Sequence, residues 1–197
     1  MHPSEAVAGE PVTVLRPLRP ARRYRLPAAP SVVLGRDCDV DAARDLILGG
    51  HTRLLTLVGP PGVGKTRLAL AIAEALQDEF EQGAAFVDLS PVRDSQLVLE
   101  AVAHTFGLRQ QGTSKPAQQL DAYLRDASLL LVLDNFEHVL DASADVGRLL
   151  ALAPGLVVLA TSRTALQLRW ERTSAVAPFT DRSRGSGICR ARPGLPT

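Results

Sequence analysis

Eight consecutive residues, Gly59-Pro60-Pro61-Gly62-Val63-Gly64-Lys65-Thr66, constrain this chain more than any other feature. They satisfy the pattern G-x-x-x-x-G-K-[ST] and stand between an apolar run, Leu54-Leu55-Thr56-Leu57-Val58, and a stretch carrying Leu68, Ile72, Leu76 and Phe80 at spacings of four. A short apolar run suits a strand buried on both faces, and the second spacing suits one stripe of a helix. Strand, glycine-rich turn and helix in that order make a cradle for phosphate. The glycines let backbone N–H groups turn inward, and the helix start adds roughly half a positive charge. A chance match in a chain of 197 residues has a probability of about one in a hundred, so the pattern is read as functional. Lys65 is one of only two lysines present, which makes its placement more conspicuous.

The expected nucleotide-binding set is therefore Gly59, Pro60, Pro61, Gly62, Val63, Gly64, Lys65 and Thr66, with Arg67 beside them on the helix. Lys65 is expected to reach the β- and γ-phosphates. The Thr66 hydroxyl is a hard oxygen donor suited to Mg²⁺, which bridges the same two phosphates. A second signal, Leu129-Leu130-Leu131-Val132-Leu133-Asp134, is an apolar strand ending in an acid and resembles a Walker B strand. At the carboxyl end of a buried parallel strand, Asp134 would face the phosphate crevice and hold a water of the Mg²⁺ shell. Asp134 or Asn135 could alternatively cap a helix. Position 135 holds an amide, which cannot act as a base. Glu137 is the nearest replacement for orienting an attacking water, or else a first-turn acid complementing a helix dipole. His138 reads as a surface or packing residue. A third run, Val157-Val158-Leu159-Ala160-Thr161-Ser162-Arg163, places Arg163 to sense or neutralise the γ-phosphate.

Strand-like and helix-like segments alternate from Gly35 onward, the pattern of a parallel sheet covered by helices. Strands are expected at 54–58, 84–89, 129–133, 156–160 and, more thinly apolar, 174–178. Helices are expected at 65–80, at 95–106 with Leu97, Val98, Ala101, Val102 and Phe106 inward, at 117–125 and at 136–152. Residues 1–31 hold six of the 14 prolines and five arginines, a composition that reads as an arm or linker, with a short edge strand possible at Val12 to Leu15. Residues 180–197 mix arginine, glycine and proline without periodicity and read as a disordered basic tail. The remaining span, 32–179, is one domain.

Together these motifs, preceded by Leu34-Gly35-Arg36-Asp37 and including Leu131 to His138 and Ala160 to Arg163, resemble the nucleotide-binding domain of STAND-type ATPases. Within that class the chain is most similar to the ATPase core of large bacterial LuxR-type and SARP-type transcriptional regulators. The resemblance covers about residues 30 to 179. It implies an α/β P-loop NTPase fold of the ASCE type, a three-layer sandwich with a mostly parallel five-stranded sheet in which the Arg163 strand lies between the phosphate-loop strand and the Asp134 strand. It also implies that Gly35 and Arg36 lie near the adenine, and that Glu171 and Pro178 match the region following the arginine. Trp170 and Ala177-Pro178-Phe179 depart from that pattern. The winged-helix region, repeat scaffold and DNA-binding module that follow in the family do not fit here, and Gly194-Leu195-Pro196 comes too soon to be the family's Gly-Leu-Pro element.

The reading that results is a domain binding ATP or ADP with Mg²⁺, hydrolysing slowly, and switching the arrangement of attached domains, with Lys65, Asp134, Glu137 and Arg163 at the reaction centre. A regulatory protein partner or self-association fits that role. Rival readings are a truncated inactive relic, a small phosphotransferase and an oligomeric AAA-type machine. A net charge of +1 gives no field to gather nucleic acid. The longest aliphatic run is far short of the ~20 residues a membrane helix needs, and the first residues lead into no apolar signal segment. A cytoplasmic location is expected, with Cys38 and Cys189 both free.

Overall fold

The computed structural model describes Tyr24, Leu26, Pro27 and residues 35–109 and 116–178. The proposed arm, its edge strand at Val12 to Leu15 and the tail from 180 lie outside the described residues. Five parallel strands form one sheet: β1 (Leu54–Val58), β2 (Ala84–Asp88), β3 (Leu129–Asp134), β4 (Leu156–Ser162) and β5 (Glu171–Ala175). Their order is β2-β3-β4-β1-β5, so the Arg163 strand lies between the phosphate-loop strand and the Asp134 strand, as the resemblance implied.

The period of two along each strand divides the core. Leu129, Leu131 and Leu133 face a layer with α3 (Val98–Thr105), α4 (Pro116–Leu124) and α5 (Ser143–Leu152). Leu130 and Val132, like Leu55 and Leu57, face the opposite layer of α1 (Asp37–Leu48) and α2 (Lys65–Leu76). This is the expected three-layer sandwich, and β3 is buried along its whole length. Leu131→Ala would leave a cavity against α3–α5 and is expected to lower unfolding free energy by about 2–5 kcal/mol in urea titration. A loss below about 1 kcal/mol would contradict this packing.

Several boundaries differ from expectation for identifiable reasons. Helix α1 was not anticipated. Its signals are short: Asp37 and Asp39 in the first turn, where they complement the dipole, and buried Ala43 and Ile47 four apart. The expected helix over 136–152 is instead two 3₁₀ turns, Phe136–His138 and Leu140–Ala142, followed by α5. Phe136, Val139 and Ala142 are all buried and stand three apart, which is the 3₁₀ repeat. The 95–106 helix likewise opens with a 3₁₀ turn, Ser95–Leu97, started by the Asp94 carboxylate accepting from Gln96 N–H. Leu97, expected inward, is 46% exposed. The fifth strand lies three residues earlier than expected and is the sheet's edge, which explains its thin apolar content. Cys38 is disulfide-bonded rather than free, a correction to the expected thiol.

Candidate functional site

Everything singled out for chemistry lies at the carboxyl ends of the strands. The loop after β1 climbs through Gly62 (φ +75°) and Gly64 (φ +93°) before α2 begins at Lys65. A Cβ on either glycine would meet nothing within 4 Å, so the space they border is open. What requires glycine there is the left-handed backbone, the conformation by which loops of this kind turn successive N–H groups toward an anion. The loop is tied at its start, where Gly59 N–H donates to the Ser162 carbonyl at 3.3 Å.

Lys65 is buried, and its Nζ donates to the carbonyls of Gly59 at 2.9 Å and Pro60 at 3.1 Å. The ammonium is thus folded back over the loop that surrounds it. Beside it, Thr66 Oγ1 lies 2.9 Å from both carboxylate oxygens of Asp134. The sequence proposed these two as joint Mg²⁺ donors from positions 68 residues apart, and the fold brings them together. Thr161 Oγ1 donates to Asp134 Oδ1 at 2.6 Å, and Asn135 Nδ2 donates to Oδ2 at 3.0 Å. Asp134 is 3% exposed, and burial pushes its carboxyl above the usual carboxylate range. The hydroxyls of Thr161 and Thr66 pull it back, and the negative charges of Asp88 and Glu137 add to the rise.

Neither Asp134 nor Asn135 caps the turn that follows; no side-chain cap hydrogen bond is made there. Asn135 instead adopts a left-handed conformation (φ 61°, ψ 44°). Its side chain then reaches Ser90 Oγ at 2.8 Å as well as Asp134. Glu137 sits on the first 3₁₀ turn and pairs through Oε1 with Arg163 Nε at 3.1 Å, while its Oε2 is buried without a hydrogen-bond partner. Arg163 is half-exposed, Glu137 nearly enclosed. His138 is exposed, in keeping with its reading as a surface residue. Pro60, Pro61 and Arg67 are exposed on the rim of the loop.

Arg36, expected near the adenine, is engaged with backbone. Its Nη2 donates to the Ala177 carbonyl at 2.7 Å and the Val63 carbonyl at 3.4 Å, while Nη1 pairs with Asp39 at 3.0 Å. The guanidinium therefore ties the phosphate loop to the segment leaving β5. Arg36→Ala is expected to cost about 1 kcal/mol of stability, and to speed amide exchange at Val63 and Val176 first. Exchange that changes uniformly across the chain would contradict the tie. Glu171 accepts from the N–H groups of Leu166 at 2.8 Å, Gln167 at 2.7 Å and Leu168 at 3.4 Å, which holds the loop after Arg163 in place.

Three participants went unmarked in the sequence: Thr161, Asp88 and Ser90. Thr161 stands in the motif that ends at Arg163. Asp88 gave no local signal, since only strand pairing sets it opposite Asp134.

A parallel sheet bearing a glycine-rich loop, a loop lysine and a threonine joined to the acid of the strand two places away defines the P-loop ATPases. Residues 48–168 match the AAA domain family model, and the chain belongs to that family. It is 40% identical over 156 residues, 74% of this chain, to a Mycobacterium tuberculosis protein named "Putative HTH-type transcriptional regulator Rv0890c". It is also 32% identical over 128 residues, 64% of this chain, to the ToMV resistance protein Tm-2(GCR236) of Solanum lycopersicum. The chain spans 17% of the first relative's length and 14% of the second's. Among solved structures, Cdc6p of Pyrobaculum aerophilum superposes with a TM-score of 0.58 at 19% identity, covering 79% of this chain and 48% of that one. The ADP form of the Aeropyrum pernix ORC2 protein gives 0.51 at 17% identity, over 79% of this chain and 51% of that one. These two likenesses concern the fold. P-loop ATPases typically work with nucleotide and Mg²⁺. No helix among the described residues is long and apolar enough to cross a membrane.

Proposed function

We propose that this domain binds ATP with Mg²⁺ and serves as the nucleotide-dependent switch of a STAND-type regulator, similar in kind to LuxR-type transcriptional regulators. The observation that carries it is the contact of Thr66 Oγ1 with Asp134 at 2.9 Å, beside a buried Lys65 whose Nζ donates to loop carbonyls. The residues present fit the groups they would receive. The concavity is open, its donors are N–H groups and an ammonium, and its far wall offers hard oxygens. When bound beside Thr66 and Asp134, Mg²⁺ would supply positive charge that offsets that of the phosphates.

Lys65 would leave the two carbonyls for phosphate oxygens, and Thr66 and Asp134 would hold the metal, Asp134 through a water. Arg163 would supply positive charge where it develops, and Glu137 would hold its guanidinium in place until phosphate engages it. Arg36 would frame the nucleotide from the loop's outer side. Because Arg163 follows β4 and Arg36 grips the chain beyond β5, a change in phosphate occupancy would be felt at 163–178, where the chain passes to whatever follows. Different arrangements would then be favoured by ATP and by ADP. The names of the mycobacterial relatives support a regulatory setting. Slow turnover suits a switch.

The test is amide hydrogen exchange of the chain with Mg²⁺ and either a non-hydrolysable ATP analogue or ADP. The reading predicts protection of 59–66 by both and a difference at 163–178 between them. Identical exchange at 163–178 with both nucleotides would contradict the switch while leaving binding intact.

A further inference from the structure

We infer that Asp88, at the end of β2, orients the attacking water in the place that Asn135 leaves without an acid. This rests on the reading of the chain as an ATP-binding domain and names a residue for its reaction.

Asp88 and Asp134 are register partners on adjacent parallel strands, so both carboxylates leave the sheet at the same level and the same end. They differ in setting. Asp134 is enclosed and spoken for by Thr66, Thr161 and Asn135. Asp88 is exposed, and the hydrogen bonds it accepts, from Ser90 N–H at 2.8 Å and from Ser90 Oγ, both fall on Oδ1. The Asn135 amide also bears on this carboxylate, whose exposure gives a water access to it. Ser90 Oγ in turn accepts from Asn135 Nδ2 at 2.8 Å, and that same nitrogen donates to Asp134 Oδ2 at 3.0 Å. A continuous chain of hydrogen bonds therefore runs from Asp88 through Ser90 and Asn135 to Asp134, and on to Thr66 in the phosphate loop. The left-handed backbone at Asn135 is what turns its amide into that chain.

Burial works toward raising the Asp88 carboxyl, but the bonds from Ser90 and Asn135 outweigh it and hold it below the usual range, so it stays ionised. An ionised, exposed acceptor suits a loose phosphoryl transfer, in which water must be aimed more than deprotonated early. The water oxygen bonds to the γ-phosphorus as the bond to the β–γ bridging oxygen breaks, its electron pair leaving with ADP. The proton released passes by the Asp88 carboxylate to bulk water. Glu137, by contrast, has one oxygen on Arg163 and the other enclosed.

Single-turnover release of γ-phosphate from ATP with Mg²⁺ tests this in the full chain, with nucleotide affinity measured on the same samples by calorimetry. Wild type, Asp88→Asn, Asp88→Glu and Glu137→Gln are compared. Asp88→Asn is expected to slow release at least ~10-fold with affinity within ~2-fold of wild type, and to be partly rescued in Asp88→Glu. Unchanged release in Asp88→Asn, or loss confined to Glu137→Gln, would overturn the assignment, as would wild type that binds ATP but never releases phosphate. Absence of ATP binding in a folded wild type would instead overturn the underlying reading.

Discussion

Replacing Lys65 with alanine is expected to weaken binding of ATP with Mg²⁺ at least about 100-fold while the chain stays folded. Truncating one partner of an enclosed, charge-assisted contact costs about 2–5 kcal/mol, and 100-fold is about 2.7 kcal/mol of that. Folding should survive because the side chain's own partners are the carbonyls of Gly59 and the exposed Pro60, which water can reach when the ammonium is gone. The check is thermal unfolding with and without nucleotide. At a ligand concentration about 100 times the Kd, wild type should gain about 2.7 kcal/mol, and Lys65→Ala should gain almost nothing at that concentration. A variant that binds within threefold of wild type would remove the lysine from the account.

Asp134→Asn should separate stability from function. Burial raises the Asp134 carboxyl, so the folded chain binds that proton more tightly than the unfolded chain does. The sign follows from linkage: this residue's contribution is fullest on the acid side and is lost as pH rises through its folded pKa. At neutral pH the ionised carboxylate is therefore held at a cost. The variant should unfold at a temperature equal to or above wild type near pH 7, with the gap narrowing as pH falls. It should also lose most of the Mg²⁺ dependence of nucleotide binding, about 10-fold or more, because an amide brings no charge to the metal shell. In wild type, Mg²⁺-dependent affinity should fall as acid titrates Asp134. A clear loss of stability in Asp134→Asn at pH 7, or retained Mg²⁺ dependence, would count against this assignment.

What could be read from the sequence was what is local. The octapeptide at 59–66 carries its own geometry, and β1, β3 and β4 are mostly apolar runs because both of their faces are buried. That alone placed Lys65, Thr66 and Asp134 at one end of a parallel sheet. Less legible were features set by pairing across strands. Asp88 meets Asp134 only because β2 lies beside β3. The grip of Arg36 on Ala177 joins residues 141 apart and leaves no pattern in the chain. The 136–152 span was misread as one helix because an apolar spacing of three was merged with the spacing of four that follows it. Helix α1 escaped notice because its stripe is only two buried residues long. β5 was placed too late because an edge strand needs little apolar content, and Val176 and Pro178 drew the reading forward.

The most direct test of the central claim is calorimetric titration of the purified chain with ATP and with ADP, in Mg²⁺ and again in excess chelator, beside Lys65→Ala. The account predicts saturable one-to-one binding that weakens on removing Mg²⁺ and vanishes in the variant. No binding of either nucleotide by a folded wild-type chain would contradict it.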